Sequence, residues 1–353
     1  MGATEAIEAI SARAEVGRAE ARRRWSEALP AAGPVDDWVD RFRDAGRLTV
    51  NFHPDRICRD GHSVAAGLRN SGRYYTQWVS GVSAGSRSAV RGGERERFER
   101  TFFAGAYDAT SATSGEHPVY GALDLLCDGH GGAPRFGSSY LVLAPHVRDR
   151  VTLAVGDSHL APPDVGIFDD PSSVLAGLAE QARAGALLRR SLGLDAFVRV
   201  LDGDVRPGQT ARDLDGYIEV QVHGGLSLAD DVEAIVLDPA FRGSSVEADL
   251  EHVSRAGGYP LRWHVGSELH VNQVPADFRG PAMPGLARRV ARPDGVVDAA
   301  AIGRAAALQP FEEPTVSGDP ADSAVQQLKR LWHTVLAFGI DAELAGTTPD
   351  PWR

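Results

Sequence analysis

Lysine is almost missing from this chain: Lys329 stands alone, and arginine carries the rest of the positive charge. Cysteine is as scarce, with only Cys58 and Cys127. Two thiols close at most one bridge, which excludes a disulfide scaffold and leaves too few ligands for a cysteine-rich zinc site. No apolar run reaches the roughly 18 residues that a membrane-spanning helix needs. The opening MGATEAIEAI lacks a basic segment followed by an apolar one, so no Sec-type signal is visible. The expected location is therefore the cytoplasm of the producing cell, with delivery to a host cell by another route left open. Basic residues are outnumbered, 37 Lys and Arg against 48 Asp and Glu, for a net charge of −11. That balance argues against nucleic acid as a partner, because phosphates need a basic face.

What is present reads as a globular α+β protein of 353 residues. Residues 3–28 are helix-forming, with a thin apolar stripe of Ile7, Ile10, Ala14 and Val16, and PAAGP ends the run. VDDWVDRFRDAG predicts a short second helix leading to Gly46, and RLTVNFHPD a strand over 47–52 that stops at Pro54. Residues 67–93, rich in Gly, Ser and Arg, predict strand and loop around a site. GERERFERTFFAGAYD predicts a helix, and PVYGALDLL, SSYLVLAP and RVTLAVGD predict three strands. PSSVLAGLAEQARAGALLRRSLG predicts a helix from Pro171 to Gly193. GYIEVQVHGG alternates as a strand, and SLADDVEAIVLD follows as a helix or a helical turn running into a strand. From about 298 the pattern turns helical again. Strands without regular βαβ alternation predict α+β rather than a doubly wound sheet. The simplest division is a helical arm over 1–45, one core over 46–300 and a helical extension over 301–353.

Four Asp and His pairs sit two residues apart: His53 with Asp55, Asp60 with His62, Asp128 with His130, and Asp157 with His159. On a strand such pairs share a face and suit one ion. A metal-dependent hydrolase built on His53, Asp55 and His62 is thus one candidate, although DGH also reads as turn chemistry. GVSAG at 81–85 matches the letters of a nucleophile elbow but lacks the parallel βα context that the elbow needs.

Three separated features make chemical sense together. Arg56 lies just past a strand end, where a guanidinium suits a pyrophosphate. Tyr74, Tyr75 and Trp78 offer flat rings for stacking. In YIEVQVHGG, alternation places Tyr217, Glu219, Gln221 and His223 on one face and Ile218, Val220 and Val222 on the other. Arginine, aromatic and late-strand glutamate come in the order used by enzymes that cleave NAD and transfer ADP-ribose. There positive charge develops on the ribose as nicotinamide leaves, and a carboxylate beside the sugar stabilises it in the transition state.

The phrases NFHPDR, GALDLL, RFGSSYLVL, YIEVQVHG and DVEAIVLDPAFRG resemble a bacterial domain family first catalogued as of unknown function. That family is similar to the effector enzymes that attach ADP-ribose to a threonine of ubiquitin. The resemblance covers about residues 48–285 and implies an ADP-ribosyltransferase-like fold, a split β sandwich with NAD in the cleft. It implies Arg56 and Glu219 as catalytic residues. Arg56, His53, Tyr75, Trp78, Ser138, Ser139, Gln221 and His223 would be the cofactor-binding set, with no metal. Within that set, Trp78 stands at the family's aromatic position, and Ser138 and Ser139 resemble its Ser/Thr strand motif. The chain departs from the paired-glutamate pattern of related enzymes, with Gln221 at the second acidic position. The implied activity is mono-ADP-ribosyl transfer from NAD to a protein acceptor such as ubiquitin. A catalytically silent NAD-binding module is the other alternative.

Overall fold

Residues 47–52 alternate Leu48, Val50 and Phe52 with Thr49 and Asn51, and this period-two pattern forms the strand β1 (Arg47–Phe52) with its apolar side in the main core. In the computed structural model, which describes residues 2–82, 89–110, 115–204, 214–311 and 323–342, seven further strands join it. They are β2 (Val119–Asp124), β3 (Ser139–Leu143), β4 (Val151–Val155), β5 (Val165–Ile167), β6 (Ile218–Val222), β7 (Val232–Leu237) and β8 (Leu261–Trp263). The order across the sheet is β5-β4-β6-β2-β1-β3-β7-β8. Every pairing is antiparallel except β7 with β8.

The chain thus adopts the α+β class expected from its sequence. Because β6 pairs with both β2 and β4, and β1 with both β2 and β3, the hydrogen bonding runs through one ladder. Among the described residues, the remaining sheet is a two-stranded pair, β9 (Leu269–His270) with β10 (Val296–Val297). A split into two β layers is not visible in this pairing.

The strands predicted at 47–52, in PVYGALDLL, SSYLVLAP, RVTLAVGD and GYIEVQVHGG, and after SLADD all form. Two predicted elements differ. Among the described residues of 67–93 the chain forms helices at Val64–Ser71 and Gln77–Ser80 rather than a strand. The helix beginning at Ser172 ends at Arg183, where Gly185 takes a left-handed φ and Leu188 and Arg189 follow with φ of 48° and 58°. Ser83 of GVSAG lies outside the described residues.

Both helical ends belong to the same core as the sheet. Ala21, Trp25 and Ala28 of the first helix (Gly2–Ala28) are buried in the main cluster with Val174, Leu175 and Leu178 of Ser172–Arg183. Trp332 of the last helix (Ala324–Phe338) is fully buried, and its Nε1 donates to the Pro134 carbonyl at 2.9 Å. Among the described residues, no helix is long and apolar enough to cross a membrane.

The loop between β2 and β3 is pinned onto β1 by the polar side of that strand. Thr49 Oγ1 accepts from Gly132 N (3.0 Å), Asn51 Oδ1 accepts from Ala133 N (3.1 Å), and Asn51 Nδ2 donates to the carbonyls of His130 (2.8 Å) and Gly137 (3.2 Å). Gly137 lies so close that an added Cβ would stand 2.2 Å from Phe52 N. Its backbone is extended, so the restriction is the approach and not the dihedral. Gly137→Ala is expected to cost at least the ~1–3 kcal/mol of an overpacked core, lowering Tm by about 2–4 °C per kcal/mol in thermal unfolding. A Tm equal to wild type would contradict this packing.

Candidate active site

The register of β6 creates an opening in the sheet surface. Glu219 is paired with Ala122 on β2 and Ala154 on β4, so both same-face neighbours are methyl groups. Directly paired larger side chains would crowd the carboxylate, which here faces a cleft. Arg56, His53, Tyr75, Trp78 and Glu219 all line that cleft. The cleft has a cavity volume of about 160 Å³.

Arg56 follows β1 and is buried, and among the described residues its Nη2 has no hydrogen-bond partner. Burial lowers its pKa, while the neighbouring Asp55 acts to raise it. A buried guanidinium nitrogen without an acceptor is costly and favours an anionic ligand. His53 beside it is held neutral, its pKa well below the usual value through burial and the charges of Arg56 and Lys329. The His53 ring packs edge-on against Trp332, with centroids 5.7 Å apart.

Glu219 is also buried, and its pKa is pushed up to about 8, first by desolvation and then by the nearby charge of Asp157. Its Oε1 accepts from Ser158 N (3.3 Å) and Gln221 Nε2 (2.7 Å), and both bonds act in the opposite direction by favouring the ionised form.

Gln221 and His223 do not line the cleft. They stand behind Glu219, further along the same face of β6, and are fully buried rather than solvated. There they form part of a chain: Tyr107 OH to His223 Nδ1 at 2.6 Å, His223 Nε2 to Thr152 Oγ1 at 2.9 Å, Thr152 Oγ1 to Gln221 Oε1 at 2.6 Å, then Gln221 to Glu219. With the Gln221 amide assigned this way, Thr152 donates to Gln221 and must accept from His223 Nε2–H. His223 Nδ1 is left to accept from Tyr107. His223 is neutral, its pKa pushed down to about 3 by burial and by Arg150, which suits the single ring proton that the chain requires. Every donor points toward Glu219, so the bonds polarise one another.

Thr152→Val cuts this chain with little change in shape. The Gln221 bond lowers the Glu219 pKa, so weakening it is expected to raise that pKa further, by roughly half a unit to one unit. Thr152→Ser keeps the hydroxyl and should titrate like wild type. Carbon-13 NMR of labelled glutamate carboxyls reads the shift, and an identical titration in Thr152→Val would contradict the chain.

Trp78 lines the cleft from a helical turn, but one ring face is already stacked on His117, with centroids 4.4 Å apart. Its Nε1 donates to Glu99 Oε2 at 3.3 Å. Tyr75 is 37% exposed and keeps more of its ring open to a ligand. Ser138 and Ser139 do not line the cleft. The reason is strand order: β3 lies on the far side of β1 from β6. Ser139 Oγ accepts from Asp238 N at 3.2 Å, and the Ser138 carbonyl accepts from His264 Nε2 at 2.7 Å.

Of the residues of the metal alternative, His53 lines the cleft and His62 does not. His62 is exposed in a turn in which Asp60 Oδ1 accepts from His62 N at 3.0 Å. Among the described residues, no group of three or more His, Cys, Asp or Glu is arranged to hold an ion.

Several cleft residues are not apparent from sequence patterns. Arg95 lies over the rings of Phe98 (5.4 Å) and Tyr120 (4.7 Å) and pairs with the buried Glu99 at 3.3 Å. Tyr120 OH donates to Glu99 Oε1 at 2.9 Å. Asp157 and His159, from the loop after β4, complete the wall beside Glu219. The spacing of these two was visible in the sequence. Their nearness to Glu219 depends on β4 pairing with β6, which no local pattern encodes.

A family model described as "Protein of unknown function (DUF3626)" matches residues 47–338. The chain belongs to this family. The match begins at β1, so it contains every residue named above as lining the cleft, and it runs through the buried last helix. Two phage proteins are similar over part of their length. The Gene 2 protein of Mycobacterium phage L5 is 27% identical over 183 residues, which is 48% of this chain and 59% of the phage protein. The Gene 2 protein of Mycobacterium phage D29 is 28% identical over 172 residues, with the same two shares. The chain therefore spans less than two thirds of the relatives it matches.

Proposed function

We propose that this protein is an NAD-dependent mono-ADP-ribosyltransferase. The observation that carries the proposal is the convergence of two buried charged groups on one cleft: Arg56 with an unpaired Nη2, and Glu219 with a raised pKa. Perturbed groups that face a cavity are candidates for a functional site. Arg56 would hold the pyrophosphate. Tyr75 and Trp78 would bound the nicotinamide end. Glu219, once ionised, would stabilise positive charge on the ribose as nicotinamide departs.

Under this proposal the fold is an ADP-ribosyltransferase-like one whose two β layers share a continuous ladder. The acceptor is a protein hydroxyl, with a threonine of ubiquitin as the first candidate because of the family resemblance. The test is incubation with NAD, with free nicotinamide quantified by chromatography and modified ubiquitin by intact mass. Nicotinamide release with a mass increase of one ADP-ribose on ubiquitin supports the full proposal. Nicotinamide release alone supports the chemistry and removes ubiquitin. Thermal stabilisation by NAD without release would replace the transferase with a binding module.

A further inference from the structure

Beside the NAD cleft lies a second cavity of about 430 Å³. The two cavities share three residues: Arg135, Asp157 and His159. Within this boundary, His159 Nδ1 and Asp157 Oδ1 are 2.6 Å apart. The bond orients the imidazole, with the Nδ1 proton directed to the carboxylate and Nε2 left as the basic nitrogen, the arrangement of a general base held by an acid. The His159 side chain is 22% exposed and lines both cavities. The same loop places Ser158 N on Glu219 Oε1, which fixes the pair next to the carboxylate.

The second cavity is made for a different ligand from the first. Its wall contains Asp215, paired with Arg135, and Gln181, whose Oε1 accepts from Leu188 N at 2.9 Å. Its charged residues balance, two arginines (Arg135 and Arg189) against two aspartates (Asp157 and Asp215). At the rim stand Leu160, 71% exposed, and Arg189, whose left-handed φ of 58° follows that of Leu188 at 48°. Two successive non-glycine residues in this region carry backbone strain. A cavity whose charges balance suits an uncharged hydroxyl compound better than a phosphate.

Building on the NAD-dependent reading of the neighbouring cleft, we propose that the second cavity is the acceptor site and that Asp157–His159 is the base that activates an acceptor hydroxyl. The bond from ribose to nicotinamide breaks, and its electron pair leaves with neutral nicotinamide. The acceptor oxygen forms the new bond to the same ribose carbon. The acceptor's proton passes to His159 Nε2, the imidazolium is stabilised by Asp157, and the proton then goes to solvent. His159 touches the acceptor, and Asp157 positions it.

The experiment compares His159→Ala, Leu160→Trp and wild type with NAD and two hydroxyl probes, N-acetyl-threonine methylamide and ubiquitin. Nicotinamide release and ADP-ribosylated product are measured separately. Loss of the base is expected to reduce product by about 10²–10⁴-fold. Product formed per nicotinamide released should fall, and added imidazole should restore product formation. Leu160→Trp narrows the mouth from an exposed position and should lower product formation while sparing release. Product on the small probe identifies a free hydroxyl compound as sufficient, and product on ubiquitin alone identifies a protein-borne hydroxyl. If His159→Ala forms product at the wild-type rate, the base is wrong even though the NAD cleft stands. If wild type releases no nicotinamide, the NAD reading fails and this proposal falls with it.

Discussion

Glu219→Gln is expected to lower nicotinamide release by roughly 10²–10³-fold, the usual cost of removing one preorganised electrostatic group from a transition state. It should also make the protein more stable at alkaline pH. The two effects share a cause. The Glu219 pKa in the folded chain is about 8, against an ordinary 4.5, because the carboxyl is buried beside Asp157. For an acid whose folded pKa is raised, the associated stability is fully present below the unfolded value and is lost as pH rises through the folded value. Wild type should therefore lose stability between about pH 4.5 and pH 8 from this group. Glutamine cannot ionise, and its amide oxygen can still accept from Ser158 N and Gln221 Nε2. Thermal unfolding across pH is expected to show equal Tm values near pH 4.5 and a higher Tm for the variant at pH 9. In wild type, kcat/KM for NAD should rise with pH and level off above about 8, as the free enzyme loses the Glu219 proton. A variant less stable than wild type at pH 9 would mean that the carboxylate is a structural anchor.

Arg56→Met is expected to weaken NAD binding by roughly 30- to 5,000-fold, corresponding to about 2–5 kcal/mol for truncating one partner of a buried charge pair. Without ligand, at a pH below about 6 where Asp55 is protonated, the same change should leave stability unchanged or raise it. Arg56 Nη2 is buried without an acceptor among the described residues, so the free protein bears a desolvation cost that an apolar side chain of similar length avoids. Calorimetric titration with NAD checks the first effect, and thermal unfolding without ligand checks the second. Weaker binding accompanied by a large loss of Tm would make Arg56 a packing residue. The nearby Asp55 offers an internal control. Its pKa is pushed up to about 6 by burial and held from rising further chiefly by Arg56, so Arg56→Met should move it higher still.

The β strands were legible because each carries a period-two or continuous apolar pattern, and Glu219 was legible as a candidate because it stands in the polar row of such a strand. Arg56 could be read from its place after Pro54 at the end of β1. What could not be read was depth. A polar row of Glu219, Gln221 and His223 looks the same whether it faces water or, as here, Tyr107 and Thr152 from distant segments. Nor does spacing alone say that β4 lies against β6, which converts Asp157 and His159 from a possible metal pair into neighbours of the carboxylate. Ser138 and Ser139 illustrate the opposite case. Their local phrase resembles a binding motif, yet β3 joins β1 on the side away from β6. Glu99 was hidden for a simpler reason. It is one of several charges in ERERFERTF, and its burial follows from Tyr120 and Trp78 closing over it.

A crystal structure of Glu219→Gln soaked with NAD tests the central claim most directly, since the slow variant should preserve the dinucleotide. The expected result has the pyrophosphate on Arg56 Nη2 and the nicotinamide ribose against residue 219. Dinucleotide bound elsewhere, or bound in this cleft with the ribose turned away from residue 219, would contradict the mechanism.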